Sequence, residues 1–207
     1  SRNFVKLFAK INDLKKKFPN SLFLLTLLGN INNELGKYNE AIYNFNKIIE
    51  INPNFADAYY NLGFIYKKID KLNKSIEYYK KCIQIDPQNF KAHNNLGNIY
   101  KDKKNTNLAI TFYIKCLKLK PDYTIALQNF GVCLQNFEFS EFSDDIENFI
   151  IKLLKANKIL RPVDIVNTLI NYIYLNTEYK SIIKKFNIIK NKFNVDEFIS
   201  QFLKIKI

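Results

Sequence analysis

The sequence has no methionine and no tryptophan, one histidine, three cysteines, and five each of glycine and proline. Each scarcity excludes a class of function. With His93 alone and no Cys or His neighbours at ligand spacing, a zinc site lacks its donor set. Three cysteines are an odd number and form no CxxC pair, which argues against a disulfide framework. Cys82 and Cys116, one 34-residue period apart, read as small core thiols of a reducing, cytoplasmic compartment. No apolar run approaches the roughly 20 residues that span a bilayer; the longest is SLFLLTLL at 21–28. There is no phosphate-binding glycine loop and no paired-carboxylate motif. The sequence therefore predicts no cofactor, no metal and no catalysis by this chain. Methionine is missing even at residue 1, so a processed or excised piece of a longer protein is expected. SRNFVKLFAK supplies no secretory apolar stretch.

The scarce residues are periodic. Prolines stand at 19, 53, 87 and 121, each 34 after the last, with Pro162 outside the series. Glycines stand at 29, 63, 97 and 131, again 34 apart, with Gly36 the exception. Such a period is the signature of a repeat architecture. Between successive prolines the apolar residues follow helical steps: Ala58, Tyr59, Leu62, Ile65 and Tyr66 on a first helix, then Ile76, Tyr79 and Ile83 on a second. Proline closes each unit because it cannot continue a helix. Mid-helix glycine costs about 1 kcal/mol relative to alanine. Its fourfold recurrence predicts a close approach of two helix backbones.

The spacing Tyr59–Leu62–Gly63–Tyr66, then Ser75, Tyr79, Cys82 and Pro87, resembles the tetratricopeptide repeat. So does His93–Leu96–Gly97–Tyr100, then Ala109, Tyr113, Cys116 and Pro121. Leu25, Leu28, Gly29, Ala41, Phe45, Ile48 and Pro53 fit a preceding unit, with Asn32 in place of the usual aromatic. Leu127, Phe130 and Gly131 fit a further first helix. The resemblance implies an all-α, right-handed α-solenoid of helix–turn–helix repeats with a C-terminal helical cap. Residues 1–18 would hold the second helix of a truncated repeat, 19–137 the array, and 138–207 a helical extension. In the extension, Ser143 is a candidate N-cap, and Ile146, Phe149, Ile150, Leu153 and Leu154 form a helical stripe. Further helices are expected from Pro162, over 177–192 and over 195–205.

The resemblance also implies function. Such arrays bind an extended peptide or protein segment in a concave groove lined by the first helices. The groove positions include Asn30, Asn61, Phe64, Lys67, Lys91, Asn94, Asn95, Asn98, Lys101 and Asn129. Asn30, Asn61 and Lys91 stand where chaperone-tail adaptors clamp a carboxylate, although Thr26 and Asn95 stand where that clamp uses cations. Asn61, Asn95 and Asn129 match the asparagine ladder of the O-linked N-acetylglucosamine transferase family, which holds a substrate's backbone amides. Leu27 interrupts that ladder. At these positions, ligand contact and a solvated groove wall are the two alternatives. His93 occupies a packing position and reads as a core histidine. The stretch KILRPVDIVNTLINYI is similar to the segment that follows the repeats in some bacterial tetratricopeptide proteins with a downstream transferase domain. The alternative function is therefore the substrate-recruiting region of a longer methyltransferase, glycosyltransferase or sulfotransferase.

The formal net charge is +13. Residues 1–121 hold 21 basic and 9 acidic side chains; residues 122–207 hold 11 and 10. A basic array attracts an acidic peptide or, as a minority reading, nucleic acid. Tyr59, Tyr66 and Tyr100 sit at packing positions, so stacking platforms for bases are not expected. Nothing in the sequence specifies an oligomeric state.

Overall fold

The computed structural model describes residues 10–11, 13–135, 137–139, 144–155, 168–169 and 171–172. Among the described residues all regular structure is helical. We number the helices α1 (Leu22–Glu34), α2 (Tyr38–Ile51), α3 (Ala56–Lys68), α4 (Leu72–Ile85), α5 (Phe90–Asp102), α6 (Thr106–Leu119), α7 (Thr124–Leu134) and α8 (Asp144–Lys155). The first helices of the pairs begin 34 residues apart, and so do the second helices. Each second helix stops two residues before its proline, at Ile51, Ile85 and Leu119. Residues 13–17 are also helical. The expected Ser143 cap and the helices over 177–192 and 195–205 lie outside the described residues.

The turn inside each pair repeats at atomic detail. Gly36, Asp70 and Lys104, one period apart, have positive φ of 72°, 56° and 59°. The following N–H reaches back five residues in each case: Lys37 to Asn32, Lys71 to Tyr66 and Asn105 to Tyr100, all at 2.8 Å. Together with the bonds from Gly36, Asp70 and Lys104 to the carbonyls three residues before them, this is a Schellman cap. Gly36, which falls outside the 34-residue glycine series, is thus the residue best suited to its φ.

Two compact units divide the chain at Leu96 and Gly97, inside α5. The first packs α1 on α2 and α3 on α4, around Leu25, Phe45, Ile48, Leu62 and Ile65. In the second, α7 packs on α6, and α8 packs on both. Phe130 and Phe149 meet edge to face, and the α8 stripe Phe149, Ile150, Leu153 and Leu154 is buried.

The glycines have a different reason from the one the sequence suggests. A β-carbon on Gly63 would stand 2.8 Å from the Tyr79 ring, and one on Gly29 would stand 2.7 Å from the Phe45 ring. The close approach is therefore ring to backbone, with each second helix laying an aromatic on the first. Ser75 adds a buried hydrogen bond, donating its hydroxyl to the Gly63 carbonyl at 2.6 Å. A helix edge left open by glycine can admit such a donor.

Candidate peptide-binding surface

In the first unit, Asn30 of α1 and Lys91 of α5 are exposed. Asn61, Phe64 and Lys67 of α3 are half-buried, with the Lys68 ammonium 5.0 Å from the Phe64 ring centre. The Asn61 amide turns back on its own helix, donating to the Asp57 carbonyl at 2.8 Å. Asn94 is only 4 % exposed, and its Oδ1 has no partner among the described residues. Asn95 donates through Nδ2 to the Tyr79 hydroxyl at 3.0 Å and to the Tyr60 hydroxyl at 3.4 Å. Its Oδ1 is left as an acceptor.

In the second unit, Asn98, Lys101 and Asn129 form one network. Asn98 Oδ1 accepts from the Tyr113 hydroxyl at 2.8 Å and from Asn129 Nδ2 at 3.1 Å. Lys101 donates to Asn129 Oδ1 at 3.1 Å. The three residues are half-buried.

These contacts give two of the three asparagines, Asn95 and Asn129, a structural role. Phe45, Tyr79 and Tyr113 are the ring residues laid on the helix glycines, and all are buried. Burial pushes the Tyr79 and Tyr113 phenols well above their ordinary range, so both stay protonated. A buried hydroxyl needs a hydrogen-bonding partner. Asn95 partners Tyr79 directly, and Asn129 joins Tyr113 through Asn98. Phe45 has no hydroxyl, and there Asn61 bonds its own helix. The phenol series at 79 and 113 was the signal in the sequence, since it precedes each of those asparagines by 16 residues.

No group of His, Cys, Asp and Glu among the described residues could hold a metal ion. Cys82, Cys116 and Cys133 are buried free thiols, and burial pushes Cys82 up to about 12, far from a nucleophile's range. His93 is 6 % exposed, with Nε2 3.3 Å from the Pro87 carbonyl. Tyr59 and Tyr66 are buried, and Tyr100 stacks on Phe112, so these rings belong to packing. No described helix is long and apolar enough to cross a membrane.

Comparison with known proteins places this geometry. The family profile described as TPR repeat matches residues 29–70, and the profile described as Tetratricopeptide repeat matches 56–89 and 90–123. No curated protein matches the sequence. Among solved structures, MamA is similar at 25 % identity and a TM-score of 0.60, over 72 % of this chain and 85 % of that one. YrrB, described as a TPR protein with an unusual peptide-binding site, is 16 % identical with a TM-score of 0.59, over 83 % and 84 %. The O-GlcNAc transferase of Thermobaculum terrenum is 18 % identical with a TM-score of 0.53, over 65 % of this chain and 26 % of the transferase. The fold is the all-α solenoid type that the sequence predicts, and residues 29–123 match tetratricopeptide-repeat profiles.

Proposed function

We propose that this chain is a protein-interaction module that binds an extended, acidic peptide along its first helices. Tetratricopeptide repeats are non-catalytic interaction modules, and the similar YrrB is described with a peptide-binding site. The observation that carries the reading is the disposition of Asn95. Its two amide hydrogens go to tyrosines, leaving its Oδ1 acceptor for a peptide N–H. Asn61 likewise spends a donor on its own helix and keeps its acceptor. The basic excess of residues 1–121 favours an acidic segment. In this reading residues 19–137 are the binding array, 138–207 a helical extension, and 1–18 the end of a preceding repeat.

The test is peptide-array or pull-down capture with Asn61→Ala/Asn95→Ala/Asn129→Ala, checked for native helicity by circular dichroism. Because Asn95 also holds Tyr79, Lys91→Ala and Asn61→Ala are run separately. Loss of partner affinity in the folded triple variant, with smaller losses in the singles, is expected. Unchanged affinity across all three would rule out the asparagine surface.

A further inference from the structure

Two positions twelve residues apart carry a stacked aromatic pair in two of the repeats. Tyr66 and Tyr78 stack at 5.2 Å between ring centres with planes 10° apart. Tyr100 and Phe112, one period later, stack at 5.5 Å and 4°. In the first repeat these same positions hold Asn32 and Asn44, only 6 % and 3 % exposed. Two carboxamides occupy far less space than two rings. At this point the first repeat has a cavity of about 460 Å³ whose lining includes Lys15, Asn32, Lys37, Asn39 and Asn44. That size is within the range of small-molecule sites, roughly 300–1,000 Å³.

Burying amides where rings would pack gives the fold no apolar gain, and each amide must find partners. Asn44 has them: Nδ2 donates to the Glu40 carbonyl and Oδ1 accepts from Lys15 Nζ, both at 2.8 Å. The Lys15 ammonium also lies 5.2 Å from the Tyr43 ring centre. Both partners are neutral, and no carboxylate pairs with Lys15 among the described residues. The Lys15 ammonium and the amides of Asn32, Asn39 and Asn44 line the cavity beside one carboxylate, Glu40, so its lining is donor-rich.

We propose that this cavity binds a small organic carboxylate, of amino-acid to tricarboxylate size. Its carboxylate is received by Lys15 and by the amide N–H groups of Asn32 and Asn39. None of these residues belongs to the peptide-facing set, so the inference stands apart from the proposed peptide binding.

The experiment is titration of the whole chain with citrate, L-glutamate, L-glutamine and inorganic phosphate, read by calorimetry and by side-chain amide resonances. Citrate or L-glutamate is expected to shift the Asn32 and Asn44 amide signals saturably. L-Glutamine keeps its α-carboxylate and should bind as L-glutamate does, whereas inorganic phosphate should bind at least tenfold more weakly. Asn32→Tyr/Asn44→Tyr installs the pair of the second repeat, and should abolish binding with a melting temperature unchanged or raised. Lys15→Met, which leaves the helix pair intact, should weaken binding at least tenfold and decides the question if the double variant misfolds. Three results would overturn the proposal: no saturable shift, phosphate binding as well as the carboxylates, or full binding by Lys15→Met.

Discussion

The ring of Tyr113 lies so close over Gly97 that a β-carbon there would stand 2.6 Å from its Cε1. Replacing Gly97 by alanine gains about 1 kcal/mol of helix propensity. Overpacking a closed core typically costs about 1–3 kcal/mol. Tyr113 is fully buried and its hydroxyl is held by Asn98, so the ring cannot swing aside without breaking that bond. Gly97→Ala is therefore expected to destabilise the protein by up to about 2 kcal/mol, seen as a lower urea midpoint. A midpoint at or above the native value would mean that the ring yields.

The Schellman turns make the opposite kind of prediction. Lys104 adopts a φ of 59°, where an L side chain is strained and glycine is not. Its side chain is exposed, so no packing is lost on removal. Lys104→Gly should raise stability by up to about 1 kcal/mol, while Gly36→Ala, at φ 72°, should lower it by about 1 kcal/mol. Thermal melts of the two variants should move in opposite directions. Parallel shifts would show that backbone strain is not what distinguishes the turns.

A third prediction separates the structural job of Asn95 from its proposed role in binding. The Asn95 amide donates to a buried phenol, so Asn95→Ala and Tyr79→Phe should each cost about 1 kcal/mol. In a double-mutant cycle the two should couple by about 0.5–1.5 kcal/mol. Asn61→Ala should be close to neutral, because its bond runs to its own helix at a more open position. Additive losses for Asn95→Ala and Tyr79→Phe would break the pairing.

These particulars show what the sequence can and cannot convey. Helix starts, turn positions and prolines were legible because they obey local rules that recur at one spacing. The reason for the glycines was not, since a ring sixteen residues away meets the backbone only after the pair closes. Asn95 could be placed on a helix face, but its commitment to Tyr79 depends on side-chain geometry across two helices. Asn32 was visible as a missing aromatic. Its counterpart Asn44, and the cavity the two share, emerge only when the stacked pairs of the other repeats are seen. The proposed peptide-facing role of Asn61, Asn95 and Asn129 entered the sequence reading through family resemblance, because a groove-wall amide and a ligand-holding amide have the same local signature.

The buried phenols and thiols set an alkaline limit on stability. Burial raises Tyr79 and Tyr113 above their ordinary value near 10, and raises Cys82 from 9.0 to about 12. The unfolded chain releases these protons at the ordinary values, whereas the folded chain keeps them to higher pH. Above about pH 9 the folded state thus binds more protons than the unfolded state, and stability must fall as pH rises. Below that pH these groups are protonated in both states and their contribution is fully present. Urea midpoints are expected to be flat with respect to these groups from pH 7 to about 8.5, then to decline toward pH 11. Tyr79→Phe removes one of the titrating groups and should make that decline shallower, although the variant starts less stable at neutral pH. In the native state, Tyr79 and Tyr113 should resist ionisation by absorbance near 295 nm until the helices melt. A midpoint that holds or rises through pH 11 would mean that these phenols and thiols ionise in place, which their burial does not allow.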